Sequence, residues 1–209
     1  MENISRDKWN SFYKSDACLD VANDSWLSKH LPLLKNNERV LELGCGTGAN
    51  AHFLSSLGFR VTATDFSNEA LARLKSQDPL FCIQELDIRD LTAVPENSFD
   101  SVVADLCLHY FDEPTLAGIS DQLRRILVPG GKLFERLNAV YDGIDGVMVS
   151  EGYYYMNGIY RMFFTEDSVR RPWASWDILS LSEYDIFRYG GTKKTLFELV
   201  CKNIKPEDG

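Results

Sequence analysis

The stretch that decides the fold is Val40-Leu41-Glu42-Leu43-Gly44-Cys45-Gly46-Thr47-Gly48-Ala49-Asn50. An apolar run of strand length ends in glycines at every second position, and a sequence suited to a helix follows. Glycine permits a tight turn and lets the backbone approach a ligand without a Cβ atom in the way. The first N–H groups of the helix favour an anionic group. The stretch therefore predicts a strand, a ligand-binding loop and a helix in succession.

The sequence on both sides continues the same alternation. Apolar bursts of strand length occupy residues 39–43, 60–64, 80–83, 100–104 and 132–137. Helices are predicted to begin near Gly48, Ser67, Pro114 and Leu116, and the last of them must close before Pro129-Gly130-Gly131. Strands that alternate with helices indicate βαβ units and a parallel sheet.

The two ends of the chain and one internal segment depart from this pattern. Residues 5–13 and 24–34 predict two helices over the open end of the sheet, with Asp24 or Ser25 as the cap of the second. Residues 176–188 and 193–202 predict antiparallel strands joined by the turn Tyr189-Gly190-Gly191-Thr192. Aromatic residues accumulate in between, which suggests an inserted cap. One domain is predicted, with N-terminal helices at 1–37, a core at 38–138, the cap at 139–174 and C-terminal strands at 175–203.

Two ligand classes are compatible with the glycine loop. Gly44, Gly46 and Ala49 satisfy the dinucleotide fingerprint G-x-G-x-x-G/A, and Asp65 stands near the distance expected of a ribose-binding acid. The charge of Glu42, two residues before the first glycine, argues against this class because it would repel a pyrophosphate. A cationic ligand would be attracted by the same charge.

The segment resembles motif I of the class I S-adenosylmethionine-dependent methyltransferases, whose pattern acid-x-Gly-x-Gly-x-Gly is met by Glu42, Gly44, Gly46 and Gly48. The resemblance extends over roughly residues 38–138, about half of the chain, and is closest to bacterial small-molecule methyltransferases. It implies a doubly wound, Rossmann-like α/β fold with a seven-stranded sheet, mostly parallel with a C-terminal antiparallel hairpin and helices on both faces. It also implies S-adenosylmethionine as the cofactor.

The family pattern assigns roles to individual positions. Asp65, at the end of the second strand, would accept the ribose hydroxyls, and Asp87 with Ile88 would read the adenine. Residues 99–111 resemble the fourth-strand motif and residues 127–133 the turn before the fifth strand. The cofactor-binding residues predicted in this way are Tyr13, Glu42, Gly44, Cys45, Gly46, Thr47, Gly48, Asp65, Phe66, Ser67, Asp87, Ile88, Asp105 and Leu106.

The acceptor of the methyl group is less well indicated. His109 follows the fourth strand at the edge where such folds bind ligands, so it is the candidate catalytic residue; packing beneath the cap is the structural alternative. The candidate substrate contacts are Tyr110, Arg136, Asn138, Tyr154 and Arg161. In-line transfer from a sulfonium requires no metal, and positioning supplies most of the rate.

Composition narrows the partners and the location. The formal net charge of -9 disfavours a nucleic-acid partner. Five widely spaced cysteines disfavour a disulfide framework and a zinc site. A signal peptide and a membrane span are not expected, which favours the cytoplasm; the oligomeric state is not predicted. A small-molecule methyltransferase is the predicted function, with an NAD(P)-dependent oxidoreductase and a non-catalytic S-adenosylmethionine-binding protein as alternatives.

Overall fold

The computed structural model describes residues 6–15, 26–141, 144–188 and 192–204. The predicted helix caps Asp24 and Ser25, the turn residues 189–191 and Cys18 lie outside these ranges. Within the described part of the chain, no helix has the length and apolar character needed to span a bilayer.

A seven-stranded sheet forms the centre of the fold, in the order β3-β2-β1-β4-β5-β10-β9. The first five of these strands run parallel, while β10 is antiparallel to both β5 and β9. The predicted fold class is therefore confirmed. The strands of this sheet are β1 Arg39–Leu43, β2 Arg60–Asp65, β3 Ile83–Glu85, β4 Phe99–Asp105, β5 Leu127–Asn138, β9 Asp177–Arg188 and β10 Thr192–Lys202.

Helices cover both faces of the sheet, and alternate residues of each strand supply two separate cores. On β1, Val40 packs with the helices α2 and α3, whereas Leu41 and Leu43 pack on the other face with α4. This alternation follows from the two-residue period of a strand. The α-helices are α1 Arg6–Lys14, α2 Ala49–Ser56, α3 Asn68–Gln77, α4 Glu113–Ile126 and α5 Glu166–Arg170, and 3-10 helices span Trp26–Leu33, Leu108–Tyr110 and Arg171–Trp173.

The segment between β5 and β9 contains a small sheet of its own. The strands β6 Val147–Ser150, β7 Tyr153–Met156 and β8 Ile159–Met162 pair in that order and antiparallel. Tyr153, Phe164 and Trp173 from this segment are buried in the same core as α4. The segment thus contributes to the main core as well as adding a surface above the sheet.

Four elements differ from the sequence predictions. The described part of the second N-terminal helix is a 3-10 helix, and Pro32 within it has no N–H for an α-helical bond. Pro114 and Leu116 lie in one helix, α4. The third strand begins at Ile83, since Leu80 is 94% exposed and only residues from Ile83 onward pair with β2. β5 begins at Leu127, and its register with β4 shifts between Phe99 and Ser101, which lets the strand pass through the predicted Pro-Gly-Gly turn.

Candidate functional site

A cavity of about 780 Å³ opens at the carboxyl ends of β1, β2 and β4. The strand order reverses between β1 and β4, and doubly wound sheets bind ligands at such a reversal. The helix α1 and the strand β8 supply the opposite wall. Most of the predicted site residues line this cavity: Tyr13, Glu42, Gly44, Cys45, Gly46, Thr47, Asp65, Phe66, Asp87, Ile88, Asp105, Leu106, His109, Tyr110 and Arg161.

The glycine loop packs closely against the side chains of Cys107 and Tyr13. Gly44 has φ 59° and Gly46 has φ 55°, a backbone region that favours glycine. A Cβ atom on Gly44 would lie 2.7 Å from Cys107 Cβ, and one on Gly46 would lie 2.7 Å from the Tyr13 hydroxyl. The loop therefore requires glycine for its conformation and for the close approach of its neighbours, and it presents bare backbone to the cavity.

Asp65 ties the second strand to this loop. The backbone N–H of Gly46 donates to Asp65 Oδ2 at 3.0 Å, and the N–H of Ser67 donates to Oδ1 at 2.8 Å. The residue is only 5% exposed, and this burial raises the pKa of its carboxyl. A buried carboxylate with two oxygens has remaining acceptor capacity for a ligand.

Among the carboxylic acids that line the cavity, Glu42 has the most strongly shifted pKa. It is 2% exposed, and burial raises the pKa of its carboxyl to about 8, with Asp105 and Asp65 adding to the effect and a hydrogen bond from Asn50 opposing it. Its Oε2 atom has no hydrogen-bond partner in the described part of the chain. Buried polar atoms in native proteins nearly always have a partner, so an unmatched carboxyl oxygen indicates a site for a ligand donor.

Asp105, at the end of β4, belongs to a buried polar network. Arg136 donates to it through Nε at 2.7 Å and through Nη2 at 2.8 Å, and Asn50 Nδ2 donates at 3.2 Å. The guanidinium of Arg136 also lies 4.8 Å from the ring centroid of Trp26. This network holds the Asp105 carboxylate at the cavity wall. Next to it, Leu106 has φ 55°, a strained conformation of the kind that occurs at functional sites.

Arg136 and Asn138 lie away from the cavity, contrary to the expectation of a direct substrate contact. They are 1% and 2% exposed and do not belong to the cavity lining. Phe134, Arg136 and Asn138 share one face of β5 because they alternate along the strand, and Trp26 lies against Arg136 on that face. Arg136 reaches the cavity lining through its hydrogen bonds to Asp105.

Three further predicted residues also stand outside the lining. Gly48, with φ 84°, is the N-cap of α2. The Ser67 hydroxyl caps α3 by accepting from the Ala70 N–H at 3.2 Å. Tyr154 pairs across the small sheet with Arg161, and it is Arg161 that reaches the cavity. Gly48 and Ser67 thus shape the helices that begin behind the cofactor loops.

Asp87 lines the cavity but is already engaged by its neighbour. Arg89 Nε donates to Asp87 Oδ1 at 2.9 Å and to Oδ2 at 3.1 Å. These hydrogen bonds hold the pKa of Asp87 below its usual value. The carboxylate is therefore charged and oriented, and Ile88 beside it adds an apolar surface to the same wall.

His109, Tyr110 and Arg161 form an aromatic and positively charged part of the lining, named the aromatic end of the cavity. The centroid of the Tyr110 ring lies 4.4 Å from the centroid of the His109 ring and 5.1 Å from that of the Trp9 ring. The Arg161 guanidinium carbon lies 5.9 Å from the same centroid. His109 is 1% exposed, and its Nδ1 has no hydrogen-bond partner in the described ranges. Burial, with smaller contributions from Lys194 and Arg161, holds the pKa of His109 well below its usual value. The imidazole is therefore neutral.

Several lining residues were not predicted from the sequence. They are Lys8, Ser11, Phe12, Ala49, Asn50, Leu86, Arg89, Cys107, Phe111, Ile159 and Lys194. Asn50 and Leu86 could have been found, since they adjoin the motifs at the ends of β1 and β3. Lys194 had no local signal, because it comes to the cavity from β10, a strand far along the chain from the motifs that pairs with β5 and β9.

Comparisons with known protein families agree with this geometry. Residues 41–134 match the model of a family described as a methyltransferase domain. A ubiquinone biosynthesis O-methyltransferase from Xanthomonas oryzae pv. oryzae is 36% identical over 100 residues, which are 46% of this chain and 41% of that protein. The cypemycin N-terminal methyltransferase of a Streptomyces species is 33% identical over 114 residues, 53% of this chain and 45% of that protein. The chain thus spans less than half the length of these curated relatives.

Solved structures share the fold over most of the chain. A SAM-dependent methyltransferase from Methanosarcina mazei superimposes with a TM-score of 0.77 at 18% identity, covering 84% of this chain and 97% of the other. A 1,6-didemethyltoxoflavin-N1-methyltransferase from Burkholderia thailandensis was solved with 1,6-didemethyltoxoflavin and S-adenosylhomocysteine. It superimposes with a TM-score of 0.72 at 20% identity, covering 94% of this chain and 86% of the other.

The matched residues 41–134 contain the glycine loop and the acids at the ends of β1, β2 and β4. The likeness in fold extends beyond that range, because the Methanosarcina mazei structure covers 84% of this chain. Residues 41–134 are therefore similar to a methyltransferase domain, and most of the chain shares the fold of solved S-adenosylmethionine-dependent methyltransferases.

Proposed function

We propose that this protein transfers a methyl group from S-adenosylmethionine to a small-molecule acceptor. The observation that supports this most directly is one continuous cavity with two different ends. Glu42, Asp65 and Asp105 line the end beside the glycine loop, whereas Tyr110 and Arg161 line the other. A cationic nucleoside bearing an amino acid suits the acidic end, and an acceptor suits the aromatic end.

The residues at the acidic end fit the cofactor. The unmatched Oε2 of Glu42 offers an acceptor to the ammonium group, and Asp65 can accept from the ribose hydroxyls. The bare backbone at Gly44 and Gly46 leaves room that a Cβ atom would fill. Asp87 and Ile88 stand beside this region and suit the adenine. When bound, S-adenosylmethionine supplies an electrophilic methyl group on a positively charged sulfur.

The chain's contribution to the chemistry is mainly positioning. Holding two reactants in line is worth up to about 7–11 kcal/mol in well-oriented systems. A positioned base adds roughly 10²–10⁴-fold. His109 is suited to this second role because its imidazole is neutral and its Nδ1 has no partner in the described part of the structure. Trp9 and Tyr13 of α1 line the cavity and help to exclude water.

A thermal-shift experiment tests the proposed function against the dinucleotide alternative. A ligand at a hundred times its Kd stabilises the folded state by about 2.7 kcal/mol. For a chain of this size that raises the Tm by roughly 5–10 °C. We expect S-adenosylhomocysteine to produce this rise and NAD(P) to leave the Tm unchanged. Stabilisation by NAD(P) alone would favour an oxidoreductase, and S-adenosylhomocysteine release from S-adenosylmethionine in an acceptor screen distinguishes turnover from binding alone.

Cofactor binding is expected to release a proton from Glu42. With a pKa of about 8 in the folded protein against a model value of 4.5, the carboxyl is protonated at pH 7 before the ligand binds. Its contribution to stability is complete below pH 4.5 and is lost as the pH rises through about 8. A ligand ammonium favours the charged form, so the pKa falls on binding and up to about one proton leaves.

Calorimetry measures this proton directly. The apparent enthalpy of S-adenosylhomocysteine binding at pH 7 should differ between phosphate and Tris buffers, in proportion to their ionisation enthalpies. Glu42→Gln is the control, because the amide keeps the shape but cannot ionise. An equal buffer dependence for the two proteins would show that Glu42 does not ionise on binding.

A further inference from the structure

The charged side chains that line the cavity come from two different sets of elements. Acids occupy the ends of β1, β2 and β4, as described above. Lys8, Arg161 and Lys194 line the cavity from α1, β8 and β10, three elements outside the cofactor motifs. The fourth lining cation, Arg89, is bound to Asp87. Arg161 and Lys194, whose charges both act on His109, form a positively charged compartment in a chain whose formal net charge is -9, while Lys8 Nζ donates to the Asn157 carbonyl.

Arg161 is the central cation of this compartment. Its strand β8 pairs with β7, and its guanidinium lies 5.9 Å from the centroid of the Tyr110 ring. Among the described residues, no carboxylate forms an ion pair with it. Lys194 lies close enough for its charge, like that of Arg161, to disfavour protonation of His109. Two cations beside a neutral imidazole create a field that attracts an anionic ligand.

The surroundings of Tyr110 define the shape of that ligand. Trp9 meets the Tyr110 ring edge to face, and Tyr153 donates a hydrogen bond from its hydroxyl to the Tyr110 carbonyl at 3.1 Å. These contacts fix Tyr110 as one wall of the compartment. An aromatic wall favours a flat ring through stacked or edge contacts. A guanidinium matches the planar geometry of a carboxylate through paired hydrogen bonds.

His109 supplies an independent observation that points to a ligand. The side chain is 1% exposed, lines the cavity, and has an Nδ1 atom without a partner in the described part of the chain. A buried ring nitrogen left unmatched is costly unless a ligand donates to it. An acceptor carrying an O–H or N–H group would satisfy this atom.

We propose that the acceptor is a planar aromatic carboxylate whose carboxylate is bound by Arg161 and Lys194 and whose nucleophilic O–H or N–H faces His109 Nδ1. This assignment rests on the proposed methyl transfer. The acceptor's O or N lone pair forms a bond to the methyl carbon while the carbon–sulfur bond breaks. The electron pair of that bond stays on sulfur, which becomes a neutral thioether, and the acceptor's proton passes to His109 Nδ1.

Matched acids and esters test this assignment by isothermal calorimetry on protein saturated with S-adenosylhomocysteine. The probes are 3-hydroxybenzoate with its methyl ester and 2-aminobenzoate with its methyl ester. We expect at least one acid to bind about tenfold or more tightly than its ester, since a charge-assisted contact is worth more than the 1.4 kcal/mol that tenfold represents. Arg161→Gln should reduce this preference several-fold, with Lys194 still present, and leave the affinity of the ester unchanged.

The control is Arg170→Gln, on the same segment of the chain. Arg170 is half-exposed, pairs with Glu166 four residues earlier in α5, and lies outside the cavity lining. The Arg170→Gln variant should keep the full preference for the acid over the ester. The same preference in the Arg161 variant as in the wild type would overturn the assignment, as would equal affinity for acid and ester or no binding of either acid.

The first titration of the series, with S-adenosylhomocysteine alone, separates two kinds of failure. If S-adenosylhomocysteine binds and the acids show no preference, only the acceptor assignment falls. If S-adenosylhomocysteine does not bind, the proposed methyl transfer fails and the acceptor assignment fails with it.

Discussion

Replacing Asp65 with alanine is expected to weaken S-adenosylhomocysteine binding by roughly 10²-fold or more, since each hydrogen bond to a charged group contributes about 1.5–3 kcal/mol. The carboxylate also accepts from the Gly46 and Ser67 N–H groups. Its loss therefore removes the proposed ribose acceptors and releases the glycine loop from β2. Both effects lower the affinity, and calorimetry with the purified protein measures their sum.

Asp90→Ala is the matched control for this experiment. Asp90 also follows a strand of the parallel sheet, but it is exposed, accepts from Thr92 and does not line the cavity. Its replacement should leave the affinity for S-adenosylhomocysteine unchanged. If the Asp65 variant bound as tightly as the Asp90 variant, the role of Asp65 in holding the ribose would be refuted.

Replacing Arg136 with alanine is expected to destabilise the fold by about 3–5 kcal/mol, the usual result of removing one partner from a buried ion pair. The side chains of Arg136 and Asp105 are 2% and 18% exposed. The Asp105 carboxylate would lose its bidentate partner, and the Trp26 ring would lose the guanidinium above it. Urea unfolding measures the change in the free energy of unfolding when both the midpoint and the slope of the transition are recorded.

Arg39→Ala provides the comparison, because Arg39 forms a similar pair with Asp100 nearer the surface. The side chains of that pair are 37% and 28% exposed, and an ion pair of this kind contributes about 0–1 kcal/mol. The Arg136 variant should therefore lose much more stability than the Arg39 variant. Equal losses would mean that the Asp105 carboxylate is hydrated or rearranges when Arg136 is removed.

The sequence predicted those parts of the cofactor site that arise from local pattern. The glycine loop and the acids Glu42 and Asp65 were identified because each occupies the end of an apolar strand, and parallel strands bring such ends to one edge of the sheet. The order of strands and helices in the core followed from the same periodicity. The individual roles of these residues towards the cofactor stay predictions until the binding experiments are done.

The acceptor end could not be predicted in this way. Arg136 and Asn138 were expected at the rim because they end β5. Both are buried instead, since β10 pairs along that strand and Trp26 lies against the Arg136 guanidinium. Lys194 reaches the cavity from β10. The burial of Arg136 and Asn138 and the position of Lys194 leave no signal in the neighbouring residues, since each depends on contacts between segments far apart in the chain.

The amino-acid sequence by itself thus determined the doubly wound core and the loop that suits S-adenosylmethionine, because strand period, glycine spacing and the residue at a strand end are local properties. Only the tertiary structure decided which polar side chains line the proposed acceptor site. That choice depends on how α1, the small sheet and β10 pack around the end of β4, and long-range packing leaves no periodic trace in the sequence.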